Sequence, residues 1–303
     1  MNAESTQSAT IANAMTVDVE DYFQVAAFEN CIAREDWPRW PLRVEGNTRR
    51  VLDLFRRHDV RATFFVLGWV AERFPGLVHD IAAAGHEVAS HGFGHERLTT
   101  ISRRDFREGI TRTKHLLEDI SGKVVQGYRA PSYSIGATTL WAHEELREAG
   151  YRYSSSVVPI RHDLYGMPEA PRFAFYPHDS GLLEIPVTTV RFAGRNWPCG
   201  GGGYFRLLPY ALFKRGLRHV NHREGCSGVF YFHPWEVDPA QPRVPGVSFK
   251  NRFRHYLNLG RMESRLERLM RDFRFDRMDR VFIHSAPTVY PVVSLRAAEL
   301  CAH

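Results

Sequence analysis

The sequence predicts an α/β fold built on a parallel sheet or barrel. Short apolar runs alternate with stretches whose apolar residues recur at helical spacing, as in strands joined by crossover helices. The chain has 303 residues, 44% of them hydrophobic and 24% charged, which suits one large domain of this kind. No low-complexity linker divides it.

Each element follows from a local pattern. Apolar and polar residues alternate from Met15 to Val19, which predicts a first strand. Ser102 is a suitable N-cap for a helix that runs to Asp119, and Gly85 suits the position just after a helix. The predicted order after the first strand is helix 48–58, strand 62–66, helix 77–84, strand 87–90, helix 103–119, strand 124–129, helix 138–149, strand 151–155 and strand 228–232.

The domain organisation is predicted from composition. Residues 1–13 are small and polar and predict a disordered leader, residues 14–285 predict one catalytic domain with a C-terminal extension at 236–285, and 286–303 form a tail. Between 157 and 205 the regular alternation stops, as expected of an irregular wall beside a site.

The location is predicted to be cytoplasmic. The first residues lack the basic and apolar regions of a secretory signal, and no run has the length of a membrane span. The four cysteines include no C-x-x-C pair, so reduced thiols are expected.

The charge of +6 and the pI near 9.2 raise nucleic acid or an anionic membrane as partners. From 252 to 280, however, acidic residues are interspersed with the basic ones, and Met262, Leu266, Leu269 and Phe273 form a helical stripe. This pattern predicts a solvated helix docked on a core. We therefore expect no nucleic-acid partner and at most peripheral membrane contact, and the oligomeric state is left open.

Two histidines are spaced to share one cation. His91 and His95 lie on one face if the segment is helical, or across a tight turn if Gly92 and Gly94 bend it. Because the chain has fifteen histidines, this spacing alone is a weak signal.

An acidic cluster supplies the carboxylate that such a site needs. Asp18, Glu20 and Asp21 follow the first predicted strand, and ligands bind at the carboxyl ends of parallel strands. Two imidazoles and one carboxylate leave positions for water and substrate on a divalent cation.

Three further segments complete a set that resembles a known family. They are Arg129-Ala-Pro131-Ser-Tyr133, Gly201-Gly-Gly203-Tyr204-Phe205 and Phe230-Tyr-Phe-His233-Pro-Trp235-Glu236. With the acidic cluster and the histidine pair, the chain resembles the polysaccharide deacetylases of the NodB-homology type, carbohydrate esterase family 4, over about residues 15–235. The chain also resembles the subgroup associated with bacterial exopolysaccharide export loci. The resemblance implies an irregular (β/α) barrel.

The resemblance also implies roles for the acidic and histidine residues. Asp18 matches the catalytic base, and His91 and His95 match the metal ligands. The metal carboxylate has two candidates, because the two acids of the family motif are not adjacent here. Residue type favours Asp21, whereas the Asp-x-Asp spacing of some relatives favours Glu20.

The remaining roles come from the later motifs. Arg129 matches the arginine that orients the base, and His233 matches the acid that protonates the leaving amine. A backbone N–H near Tyr133 would stabilise the oxyanion. Asp163, Asp179 and Glu236 are the candidates for supporting His233. Substrate contacts are expected from Pro131, Tyr133, Tyr204 and Trp235.

The implied function is metal-dependent hydrolysis of N-acetyl groups on an acetamido sugar in a polysaccharide or its lipid-linked precursor, with release of acetate. The implied cofactor is one divalent ion, Zn²⁺ first, with Co²⁺, Ni²⁺ or Fe²⁺ as alternatives. Two other functions are open: hydrolysis of a formamido sugar, cyclic imide or ureide at the same site, and carbohydrate binding without catalysis.

Overall fold

A computed structural model of the protein describes residues 11–162, 165–178, 180–285 and 289–295. Over these residues the chain alternates strands and helices as the sequence predicts. The strands are β1 (Ala12–Val19), β2 (Thr63–Val66), β3 (Glu87–Ser90), β4 (Gly127–Tyr128), β5 (Tyr153–Ser154), β6 (Tyr176–Pro177), β7 (Leu183–Glu184), β8 (Thr189–Phe192), β9 (Arg195–Pro198), β10 (Val229–Phe232), β11 (Arg274–Asp276) and β12 (Val292–Val293).

The helices surround the sheet. They are α1 (Val44–Arg57), α2 (Gly68–Arg73), α3 (Pro75–Ala83), α4 (Arg103–Ser121), α5 (Ala142–Glu148), α6 (Gly202–Leu207), α7 (Tyr210–His222), α8 (Phe249–Tyr256) and α9 (Met262–Asp272). The N-cap of α4 is Ser102, whose hydroxyl accepts a hydrogen bond from the Asp105 N–H as predicted.

The main sheet is parallel and curls into a half-barrel. Its strand order is β10-β1-β2-β3-β4-β5-β7, and β11 also pairs with β1, in parallel like every other pair in this sheet. Thr16 of β1 lies opposite Tyr231 of β10 on one side and Thr63 of β2 on the other. The predicted irregular (β/α) barrel is thereby confirmed, and β1 lies between β10 and β2 in its sheet.

Most element predictions agree with the structure, and the differences have local causes. Strands β2, β3 and β10 match within one residue, but β4 and β5 each contain two residues because only those pair with neighbours. Helix α1 begins four residues before the predicted start of 48, at Val44. Strand β11 was not predicted, since the sequence indicated only the end of the domain there.

Ordered strands extend into both the predicted leader and the predicted tail. Strand β1 begins at Ala12, inside the predicted leader 1–13, because residues from Ala12 onward pair with β11. Residues 1–10 lie outside the described part. In the predicted tail 286–303, the residues of β12 pair with β6, while residues 286–288 and 296–303 are not described.

Among the described helices, none combines the length and the apolar character needed to cross a bilayer. The predicted cytoplasmic location stays a prediction. Cys31, Cys199 and Cys226 are unpaired thiols, as expected, and Cys301 lies outside the described residues.

A buried carboxylate ties the C-terminal segment to the starts of β2 and β3. Glu87 accepts hydrogen bonds from the hydroxyls of Thr63, at 2.5 Å, and Tyr153, at 2.9 Å. The backbone N–H of Asp279 also donates to Glu87, and Arg277 pairs with the Asp279 carboxylate. Burial, and next the charge of Asp279, raise the pKa of Glu87 to about 7.

We expect Glu87→Gln to flatten the pH dependence of stability. A carboxyl whose folded pKa is raised from 4.5 to about 7 binds more protons when folded. Its contribution is therefore full below pH 4.5 and is lost as the pH rises through 7, by at most about 3 kcal/mol. Urea unfolding across this range should show the wild type losing stability relative to the variant. Glu108→Gln, at an exposed carboxylate on α4, should retain the wild-type slope.

Candidate active site

The side chains of the site project from the carboxyl ends of the central strands. Asp18 lies near the end of β1, and Glu20 follows it. His91 directly follows β3, Arg129 follows β4, and His233 follows β10. Since these strands are neighbours in one parallel sheet, their ends bring the residues together at one edge.

Glu20, His91 and His95 form a candidate cation site. One donor atom from each lies within 4.8 Å of the other two, and all three side chains are buried. The Glu20 Oε2 atom is 2.8 Å from His95 Nε2 and 3.9 Å from His91 Nε2. His95 adopts a left-handed backbone conformation with φ of 58°, so the segment turns tightly rather than continuing as a helix.

The donor chemistry fits a divalent metal ion. Glu20 Oε2 is buried and lies 2.8 Å from His95 Nε2 without forming a hydrogen bond of ordinary geometry, so a cation could satisfy it. His91 uses Nδ1 to bond the Arg129 carbonyl at 2.8 Å, which leaves Nε2 for the cation. Burial lowers the pKa of His91 to about 4, so its imidazole is neutral, as a ligand must be.

The neighbouring histidines stabilise the ionised form of Glu20. Burial alone would raise the pKa of this carboxyl, but the neighbouring His95, His233 and His91 lower it to about 2. Glu20 is thus ionised in a buried site, ready to neutralise a cation.

Of the two candidates for the metal carboxylate, Asp21 does not lie with the two histidines. The Asp21 side chain instead accepts hydrogen bonds from the backbone N–H groups of Tyr22, Arg43 and Val44, the last two at the start of α1. Its carboxylate thereby satisfies free backbone N–H groups at the start of that helix. Asp21 does not belong to the candidate cation site. Glu20 is the acid whose carboxylate lies with His91 and His95.

Asp18 is held rigidly by Arg129. The Arg129 Nη1 atom donates to Asp18 Oδ1 at 2.7 Å and to Thr16 Oγ1 at 2.8 Å. Its other nitrogens donate to the carbonyl and hydroxyl oxygens of Ser155, and the guanidinium lies over the Phe65 ring. Because Arg129 is fully buried and paired, it fixes the position of Asp18, as predicted.

His233 faces both acids and is supported by Glu236. Its Nε2 atom lies 3.5 Å from Glu20 Oε1 and 4.0 Å from Asp18 Oδ2, while Nδ1 bonds Glu236 Oε1 at 2.9 Å. Of the three candidates for supporting His233, Glu236 is the partner in the structure. Asp163 and Asp179 lie outside the described residues.

The carboxylates favour a protonated His233. Burial alone would lower the pKa of His233, but Glu20, Glu236 and Asp18 raise it to about 9. Glu236 is in turn bound by Arg206 Nε at 2.7 Å. The imidazole is therefore a proton donor held in one orientation.

Three rings form a stack behind the site. Trp235 lies 5.0 Å from His233 with nearly parallel planes, and 4.1 Å from His255 on its other face. Arg206 also donates to the His255 carbonyl, so it links Glu236 to helix α8. Trp235 was predicted to contact substrate; it lines the cavity but is only 5% exposed, and its ring packs against His233 and His255.

An open cavity of about 350 Å³ leads to these residues. Tyr133 and Tyr204, which are predicted to contact substrate, line it. Pro131 does not; it is buried against Gly92. The Tyr133 N–H donates to the Ala130 carbonyl. The predicted oxyanion donor, a backbone N–H near Tyr133, stays a prediction.

Sequence reasoning missed two supporting residues, Arg206 and His255. Arg206 stands directly after the Gly201 to Phe205 motif, and that position was the available signal. Gly202 packs so closely on the Glu236 carboxyl that a Cβ would collide with it, which explains a glycine there. No sequence motif pointed to His255, because its role depends on stacking against Trp235, which is distant from it along the chain and is brought to it only by folding.

The fold and site define the class of parallel (β/α) barrel proteins with a two-histidine, one-carboxylate cation site. Residues 35–154 match the family model for polysaccharide deacetylase, and residues 155–283 match a domain of unknown function, DUF3473. The two matches are adjacent and together span residues 35–283. Asp18 and Glu20 precede both matched regions.

Related sequences cover part of the chain. It is 35% identical over 99 residues to a peptidoglycan-N-acetylglucosamine deacetylase of Bacillus cereus, covering 32% of this chain and 36% of the relative. It is 47% identical over 63 residues to a chitooligosaccharide deacetylase of Sinorhizobium fredii, covering 21% and 29%. The matched region thus spans only about a third of these relatives.

Solved structures share the fold over nearly the whole chain. A Mycobacterium smegmatis structure assigned to the polysaccharide deacetylases has a TM-score of 0.60 at 20% identity, covering 94% of this chain and 95% of that one. The Puue allantoinase has a TM-score of 0.56 at 15% identity, covering 92% of each chain. These likenesses concern the fold.

Proposed function

We propose that the protein is a metal-dependent N-deacetylase acting on an acetamido sugar of a polysaccharide or its lipid-linked precursor. The observation that carries the proposal is the group of Glu20, His91 and His95 beside Asp18 and His233 at one sheet edge. The family match and the deacetylase relatives support the same reaction. An exopolysaccharide pathway is the proposed setting.

The metal ligands in this proposal are Glu20, His91 and His95. Two imidazoles and a carboxylate suit Zn²⁺, with Co²⁺, Ni²⁺ or Fe²⁺ as alternatives. A divalent cation held there supplies Lewis acidity, which polarises an amide carbonyl and makes water more acidic.

Asp18 and His233 divide the proton transfers. Asp18, fixed by Arg129, accepts a proton from water as the water oxygen bonds to the acetyl carbon. His233 donates a proton to the sugar nitrogen as the carbon–nitrogen bond breaks. The products are acetate and a free amino sugar, and no covalent enzyme intermediate is needed.

The cavity is built to accept a sugar. Tyr133, Tyr165 and Tyr204 supply aromatic faces at its wall, and open access suits a chain-like substrate. A non-catalytic carbohydrate-binding role would not require Asp18, Arg129 and His233 to be placed together.

The test is acetate release from N-acetylglucosamine oligomers by metal-stripped protein, with Zn²⁺ or Co²⁺ restored one at a time. We expect no acetate from the stripped protein and recovery with the metal. His91→Ala should abolish recovery, whereas His79→Ala, at an exposed histidine on α3, should not. Acetate release that survives chelation, or that is absent with every metal and acetamido sugar, contradicts the proposal.

A further inference from the structure

The segment around α8 is basic and carries exposed aromatic rings. Residues 239–262 contain five Lys or Arg and no Asp or Glu. Phe249 is 84% exposed and Phe253 is 49% exposed, and their rings stack 6.5 Å apart. Two exposed phenylalanines one turn apart on a basic helix are typical of helices that lie in a membrane interface.

A groove of about 380 Å³ lies beside these rings. Its lining consists of Arg243, Phe249, Arg252, Phe253, Tyr256 and Leu257. The Arg243 guanidinium lies over the Tyr256 ring at 4.0 Å. Within the described part of the chain, neither Arg243 nor Arg252 pairs with a carboxylate, so both cations are available to an external anion.

We propose that this surface docks on an anionic membrane. The α8 patch, formed by Arg243, Phe249, Arg252 and Phe253, would bind phospholipid headgroups through its arginines and insert its rings at the interface. The inference rests on the proposed function and deepens it, because a docked enzyme would meet an acetamido sugar attached to a lipid carrier.

The patch adjoins the mouth of the catalytic cavity. Phe253 and Leu257 line both the groove and the cavity. Arg206 binds the carbonyls at the end of α8 while it holds Glu236, and Asn251 donates to the Ala27 carbonyl at 3.0 Å. Helix α8 is therefore fixed relative to the site, and docking would place the cavity mouth at the bilayer surface.

The chemistry of the groove favours a membrane over an acidic polysaccharide. A sugar site needs polar side chains that bond hydroxyl groups, but apart from the two arginines the groove offers only the Tyr256 hydroxyl. That hydroxyl already donates to the Pro242 carbonyl and accepts from the Val244 N–H. Lipid phosphates can bind the arginines and acyl chains can contact the phenylalanine rings, so a membrane matches this surface better than a polysaccharide does.

The experiment is co-sedimentation of the full chain, without metal or substrate, with lipid vesicles. One set is phosphatidylcholine alone, and the other contains equal parts of phosphatidylcholine and phosphatidylglycerol. We expect binding to the anionic vesicles that weakens with salt. Arg252→Gln should lower partitioning about fivefold, the effect of one basic residue near an anionic surface. Phe249→Ala should lower it at least as much.

Val124→Ala is the control. Val124 is 71% exposed, but it precedes β4 and so lies toward the amino ends of the strands, away from the site. Equal binding to both vesicle types, unchanged binding by both patch variants, or binding to alginate instead of vesicles would overturn the proposal. Acetate release from soluble oligomers should be unchanged in Phe249→Ala and Arg252→Gln. Because sedimentation uses no substrate, it fails or succeeds independently of the deacetylase assignment.

Discussion

Asp18→Asn is expected to lower acetate release by about 10²- to 10⁴-fold, the usual contribution of a positioned general base. The amide oxygen can still accept the hydrogen bond from Arg129, so the side chain keeps its place but cannot take a proton. Metal affinity should change little, since Asp18 is not part of the candidate cation site formed by Glu20, His91 and His95. The measurement is the turnover number of the metal-loaded protein, with metal content determined in parallel.

Asp53→Asn is the matched control for that change, because its carboxylate is on α1 and its side chain is 71% exposed. It should retain wild-type turnover. If Asp18→Asn also retains it, another group accepts the proton and the assignment of the base is wrong.

Glu20→Gln and Asp21→Asn should affect different properties although the residues are adjacent. The first should weaken metal binding, and the second should lower the stability of the fold. Replacing a residue that only supports a metal ligand usually costs 10- to 100-fold in metal affinity, so loss of the Glu20 carboxylate should weaken metal affinity by at least about 100-fold. Asp21→Asn should leave metal affinity nearly unchanged. It should instead lower the free energy of unfolding by about 1–3 kcal/mol, because an amide cannot accept all three N–H bonds.

Calorimetric titration with Zn²⁺ and urea unfolding of the metal-free proteins would separate the two effects. Strong loss of Zn²⁺ binding in Asp21→Asn, with Glu20→Gln unaffected, would reverse the assignment of the metal carboxylate.

The strands and the catalytic set could be predicted because their signals are local. An apolar run that ends in a polar residue marks the carboxyl end of a buried strand, and this placed Asp18, His91 and His233 at one edge. The choice between Glu20 and Asp21 could not be made in this way. After the strand ends, neighbouring side chains turn in different directions, and which one meets the histidines depends on the turn.

Other features depended on partners far along the chain. The early start of α1 depends on Asp21, 23 residues before Val44, so helical spacing could not reveal it. Strand β11 forms because β1 offers a free edge at Ala12 to Ala14. Arg206 became interpretable only when its contacts with Glu236 and α8 were known.

The position of β1 between β10 and β2 has a consequence for folding and for synthesis of the protein. Its Thr16 hydroxyl bonds the Phe230 carbonyl, 214 residues later, so β1 remains without that neighbour until most of the chain has been made. Pairings this distant in sequence slow folding. Asp18 and Glu20 leave the ribosome long before His233, which joins them last. A fragment limited to either matched region, 35–154 or 155–283, would lack the strand that joins the two halves of the sheet.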